Sequence, residues 1–218
     1  MDLIFSSRSI SKFLGVAALT VASSSALAMP IGNSLDGHID FRSSDYSACV
    51  GLSDCVVGNL SFSAANQDGA AGIYWDGLDG LGIQGGQEGD EIDGLNGEML
   101  TLDFATPTTL LGVWFSDLFS GAGDPIEIAS TRVTLDDGTT VDFLTQGVDP
   151  LGSSNGEVFQ DFGGPLSVAS IMFGTPSELN DDHSVAGLIK VPEPGSLGLL
   201  ALGLVAFGAS KRQQGAAK

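Results

Sequence analysis

Eight carboxylates and no lysine or arginine fall in the stretch Tyr74 to Phe104: Asp76, Asp79, Glu88, Asp90, Glu91, Asp93, Glu98 and Asp103. Gly85, Gly86, Gly89, Gly94 and Gly97 lie among them and let the backbone turn tightly. Carboxylates and backbone carbonyls on a glycine-rich loop suit a hard, oxygen-seeking cation, and Ca²⁺ takes six to eight such ligands. The spacing fits neither an EF-hand loop nor a tandem calcium β-roll. Asp90, Asp93 and Glu98 are the expected ligands, because Ile92 should turn inward and Glu98 opens an alternating strand. The alternative is an acidic loop that simply faces water.

Other chemistries have thinner support. Cys49 and Cys55 flank a short polar loop and, in an exported chain, are expected to form a disulfide rather than a metal site. The histidines are His38 and His183, in the contexts HID and DDHS, which read as carboxylate-flanked surface residues. No Gly-x-Ser-x-Gly elbow is present. A carboxylate pair could serve a glycan hydrolase, but acids this dense fall near one another by chance. Tyr46 and Tyr74 are the candidates for stacking on a sugar ring, whereas Trp114, inside LLGVWF, reads as core.

The elements that must carry these residues are strands. Alternation of Leu100, Leu102 and Phe104 with Met99, Thr101 and Asp103 has period two. Asp136, Asp137, Gly138 and Thr139 join two alternating runs as a hairpin turn. Strands are predicted at 37–41, 56–64, 72–75, 81–84, 99–104, 110–115, 130–135, 140–144, 158–162, 166–173 and 185–190. Turn residues recur every ten or so positions and no long internal helix is evident, so the fold class is all-β, an antiparallel sandwich or jelly roll. The chain has 27 acidic and eight basic residues, a net charge of −19. Within residues 29–194 the basic side chains are Arg42, Arg132 and Lys190, a balance that argues against a nucleic-acid partner.

Both ends read as addresses. Arg8 and Lys12 precede an apolar run, and Ala26 and Ala28 frame a small-x-small cleavage site, so residues 1–28 are a secretory signal peptide for a translocon and signal peptidase. At the other end Val191, Pro192, Glu193 and Pro194 form a stiff entry through which no helix runs. The uncharged run 195–210 follows, then Lys211 and Arg212. At 16 residues that run falls just short of the ~17 to 25 apolar residues that span a bilayer, which suits a thin membrane or a temporary anchor, and the basic pair places the tail in the cytoplasm. The division is 1–28, a β-sandwich domain at 29–190, a sorting helix at 191–212 and a polar tail at 213–218.

A Pro-Glu-Pro signature, a short Gly/Leu/Ala helix and a basic cluster in that order resemble the PEP-CTERM sorting signal of Gram-negative bacteria. The resemblance implies processing by an exosortase-type membrane protease, transient anchoring in the inner membrane, and release to the cell surface or beyond. It also implies association with extracellular polysaccharide and biofilm. The pattern GDEIDG followed by E-x-L-x-L-x-F resembles a segment of β-sandwich cargo in the same family. The expected function is a structural or interaction protein of the surface or matrix, not an enzyme. A carbohydrate-binding module is the alternative, and a secreted hydrolase the third reading.

Overall fold

Two long runs of alternating residues decide the architecture. The computed structural model describes residues 38–85, 89–120, 126–148, 156–176 and 181–191. They belong to the unit Gly32–Lys218; the unit Met1–Ile31 lies outside them. The strands are β1 (Ile39–Asp40), β2 (Asp54–Val57), β3 (Leu60–Asn66), β4 (Gly69–Ala70), β5 (Gly72–Asp76), β6 (Gly80–Gln84), β7 (Met99–Ser116), β8 (Ile128–Leu135), β9 (Thr140–Gln146), β10 (Val158–Gly174) and β11 (Ser184–Lys190). One 3₁₀ helix, Ser44–Cys49, precedes β2. The strands form an eleven-stranded sheet in the order β5-β6-β11-β7-β10-β8-β9, with β1 on β11 and the β2-β3-β4 group joined through β3 to β7. Every pairing between named strands is antiparallel. The all-β class is therefore as the alternation indicated.

Strand β7 changes partner midway. Its first half pairs with β3, from Ala65↔Met99 to Leu60↔Phe104, and its second half pairs with β11, from Lys190↔Leu110 to Ser184↔Ser116. The change falls at 105–109, where Pro107 has no N–H to leave unpaired. Strand β10 runs beside β7 throughout and adjusts by register shifts between Asp161 and Leu166 and between Val168 and Ser170. The β7–β10 ribbon thus folds over on itself. Phe115 is in register with Val158 and Phe173 with Leu100, yet the two phenylalanine rings meet edge-on at 6.3 Å across the core.

Two layers result, sharing one buried cluster that includes Leu100, Leu102, Val113, Phe115, Ile171 and Phe173. At ~25 cal/mol per Å² of apolar surface, this shared burial holds the layers together. One end of the sandwich is the fold-over. The other is open, and both ends of β7 and of β10 reach it.

Two expected strand breaks are absent. The segments 99–104 and 110–115 are one strand, as are 158–162 and 166–173. Pro107 and the run Gly163-Gly164-Pro165 bend the ribbon where pairing changes and do not end it. Conversely, the expected strand 56–64 divides into β2 and β3 at Gly58, whose φ of +61° makes a hairpin turn. The turn at 136–139 forms as expected: the Gly138 N–H donates to the Leu135 carbonyl at 3.0 Å and the Thr139 N–H to Asp137 Oδ1 at 2.8 Å.

Cys49 and Cys55 are disulfide-bonded, with Cα atoms 5.4 Å apart. The bond ties the end of the 3₁₀ helix to β2. Val50, next to it, bridges to Ile73 of β5, so the helix links the two layers.

Candidate functional site at the open end

The turn between β5 and β6 is built on Asp76, whose Oδ1 accepts the N–H groups of Leu78 and Asp79, both at 2.7 Å. The hydroxyl of Ser116 donates to the Asp79 carbonyl at 2.5 Å. Gly82 is needed for the next contact, because a Cβ there would lie 1.9 Å from the Asp90 carbonyl oxygen. The acidic loop can therefore lie directly on β6, and the Ile83 N–H reaches the Glu91 carbonyl at 3.1 Å.

Asp117, at φ 54°, follows β7 into the same place. Burial, reinforced by the charge and hydrogen bond of Asp79 and the charges of Asp76 and Asp90, pushes its carboxyl up to about 7. Tyr74 stands beside this group: its hydroxyl is raised by burial and by the charges of Asp76, Asp90 and Asp79.

A second carboxyl pair forms at the start of β8. Glu127 accepts the Phe119 N–H, but burial pushes it up to about 8, and the charges of Asp182 and Asp181 and a hydrogen bond to Asp182 add to the shift.

The third group is the turn at 93–98. Asp93 accepts the Leu95 N–H at 2.7 Å and the Asn96 side-chain amide at 3.0 Å, while Glu98 Oε2 accepts the Asp93 N–H at 2.9 Å. The Ile92 and Gly94 N–H groups bond to the His183 and Asp181 carbonyls, which fixes the turn to the start of β11. Glu98, immediately before β7, is buried like Leu100 and Leu102 two and four positions on, and is only 1% exposed. Burial pushes its carboxyl up to about 7 against the opposing Asp93 N–H, with the Asp93 charge adding to the rise. Its Oε1 has no hydrogen-bond partner. A cavity of about 310 Å³ adjoins it, with Gly94, Gly97 and Gly174 leaving the space and Glu98, Met172 and Pro176 among its walls.

The structure divides the three expected calcium ligands. Asp93 and Glu98 are together, whereas Asp90 belongs with Asp76, Asp79 and Asp117 on the other side of the inward-turned Ile92. Among the described residues no three carboxylate, histidine or cysteine side chains converge as a metal-ligand set. Tyr46 is corrected as a stacking residue: it is 8% exposed and packs edge-on against Phe41 and Phe62. His183 is corrected as a surface residue, being fully buried with its ring edge-on to Phe115 at 5.3 Å and held neutral by burial, which lowers its pKa to about 3. His38 Nδ1 accepts the Lys190 N–H at 3.1 Å. Trp114 is buried, in a small cluster with Ala186 and Ile189.

Asp117, Glu127, Asp181 and Asp182 were not singled out from the sequence. The doublet Asp181-Asp182 before a strand was visible there, but its convergence with Glu127, 54 positions earlier, needed the fold.

Strand β11 ends at Lys190, and residues 190–213 match the family described as the PEP-CTERM protein-sorting motif. The chain carries that sorting motif. The match begins on the last residue of β11. It marks an exported protein, anchored transiently in the membrane and processed by exosortase, itself a membrane protein. No curated protein matches the chain.

Val191 is described, its N–H donating to the Thr109 carbonyl at 3.0 Å. Pro192, Glu193, Pro194, the run 195–210, Lys211 and Arg212 lie outside the described residues, as do Glu88, the signal segment 1–28 and its cleavage residues Ala26 and Ala28. Among the described residues no helix is long and apolar enough to cross a membrane.

Proposed function

We propose that this protein is a non-catalytic interaction or structural component of the cell surface or extracellular matrix, delivered by its N-terminal signal peptide and its PEP-CTERM tag. The observation that carries the reading is the fusion of the tag to β11, a strand paired with β1, β6 and β7. The tag therefore follows the folded domain directly in sequence, so that anchoring and processing act on the domain that carries it.

The surface chemistry supports a matrix role. A net charge of −19 keeps copies apart in solution and makes the chain a polyanion that cations can bridge. The carboxyl pairs support a non-catalytic role. Asp79 with Asp117, and Glu127 with Asp182, share hydrogen bonds, closer than the ~5 to 9.5 Å at which glycoside hydrolases hold their two carboxylates.

Alkaline phosphatase fused after Lys190 should be active, and changing Pro192, Glu193 and Pro194 to alanine should leave unprocessed chain in the membrane fraction. An inactive fusion, or normal release of the alanine variant, would overturn the reading.

A further inference from the structure

Side-chain alternation gives the layer of β11 and the second half of β7 two apolar faces. On β7, Leu110, Val113 and Phe115 belong to the shared core, whereas Leu111 and Trp114 fall on the outer side, in a separate cluster with Ala186 and Ile189 of β11 and Phe159 of β10. The Trp114 and Phe159 rings stand 5.1 Å apart, and Phe159 lies over Gly112, where a Cβ would come within 2.6 Å of its ring. Trp114 and Ile189 are 7% and 4% exposed. The described strands belong to one sheet folded into two layers, so none of them forms a third layer over this side. An apolar sheet face needs another element against it.

We propose that this outer face is the docking surface for the chain's own sorting segment, 195–212, folded back along β11 before that segment enters the membrane. Strand β11 leads to Val191, two residues after Ile189, and the Val191 N–H bonds to the Thr109 carbonyl, two residues before Leu111, so the chain leaves the sheet at the margin of the cluster. Pro192 and Pro194 cannot extend the strand, and a helix can start behind them. As a helix the uncharged run 195–210 is about 24 Å long, which matches the seven residues of β11 at ~3.4 Å each. Running back along β11, it carries Lys211 and Arg212 to the open end, where that strand begins beside Asp181 and Asp182. A bilayer is the poorer cover, since a net charge of −19 repels anionic lipid. Docking of the segment is independent of the surface or matrix role.

Photo-crosslinking of the full-length chain, in cells that lack the processing protease, tests this. The probe p-benzoylphenylalanine is placed at Leu111 in one chain and, keeping an aromatic ring, at Phe159 in another. A control chain carries it at Leu144, exposed on β9. Trypsin cuts after Arg42, Arg132, Lys190 and Lys211, so the adduct expected from Leu111 joins peptide 43–132 to peptide 191–211, and that from Phe159 joins 133–190 to 191–211, each within a single chain. Both probes should give at least ten times the yield of the Leu144 control.

Leu200→Glu with Leu204→Glu puts charge on the apolar run and leaves the tether and the domain as they are, and should lower the yield at least tenfold. Unchanged yield in that variant would mean that the tail is caught only because it is nearby, and overturns the proposal. So do equal yields from Leu111, Phe159 and Leu144. An adduct between two chains, seen as a dimer, makes the face a contact between copies and overturns it too, as does an adduct to residues 1–28 or the absence of any protein adduct from both probes.

Discussion

The two ends of the sandwich are built by the same pair of strands from opposite materials. At the fold-over, β7 and β10 turn through threonines, glycines and prolines, and the pairing of β7 with β10 shifts register there, while the Ala105 N–H bonds to the Asn59 carbonyl and the Thr109 carbonyl accepts the Val191 N–H. At the open end the same strands finish among Asp76, Asp79, Asp90, Asp93, Glu98, Asp117, Glu127, Asp181 and Asp182. Three of those carboxyls, Glu98, Asp117 and Glu127, are pushed up to about 7, 7 and 8 by burial first and then by neighbouring carboxylates, Asp93 for Glu98, Asp79 for Asp117 and Asp182 for Glu127. The fold-over is a scaffold with little chemistry in it. The open end holds groups that are unfavourable as they stand, which is where a ligand or a proton has the most to relieve.

The largest expected effect comes from separating the layers. Phe115 touches both Phe173 and His183, so Phe115→Ala should cost about 3–5 kcal/mol and leave little folded protein, read by urea denaturation. A loss under 1 kcal/mol would mean that the halves of the ribbon do not share a core.

Next comes the clip between the layers: replacing both cysteines by serine should cost about 2 kcal/mol by the entropy of the short closed loop, measured the same way. At the fold-over, Pro107→Ala should cost about 0.4–1 kcal/mol, through the freer unfolded chain alone, and leave the pH response of the protein unchanged. The smallest effect is expected at the exposed Arg132–Asp142 pair, 2.7 Å apart, where Arg132→Ala should leave the melting temperature where it was.

How much of this could be read from the chain follows from how local each signal is. The PEP-CTERM tag is a linear segment recognised as such, so Pro192, Glu193, Pro194, Lys211 and Arg212 could be found without a fold. Alternation exposed the strands, and Cys49 and Cys55 are close enough along the chain to be paired on sight. The fold-over could not be read, since Pro107 looks like the end of a strand whether the chain stops or bends there. The grouping of the carboxylates was hidden for a related reason. Asp90 and Glu98 are neighbours in sequence, yet Ile92 turns inward between them and sends them to different groups, while Asp117 and Glu127 arrive from strands far along the chain. Burial of Tyr46 depends on Phe41 and Phe62, and no spacing rule announces that contact.

The contrast between the ends is tested most directly by the melting temperature of the protein from pH 5 to pH 8, alongside the triple variant Glu98→Gln, Asp117→Asn, Glu127→Gln. Each of the three carboxyls is raised in the folded state, so the folded protein holds protons that the unfolded chain has released. The stability they contribute is fully present below the ordinary carboxyl range, near 4, and is lost as pH rises through about 7 to 8. The wild-type melting temperature should therefore fall steadily across that window, and the triple variant should stay nearly flat and melt higher at pH 8. Parallel falls in both proteins would assign the effect to the overall negative charge, and the open end would have no special place in the molecule.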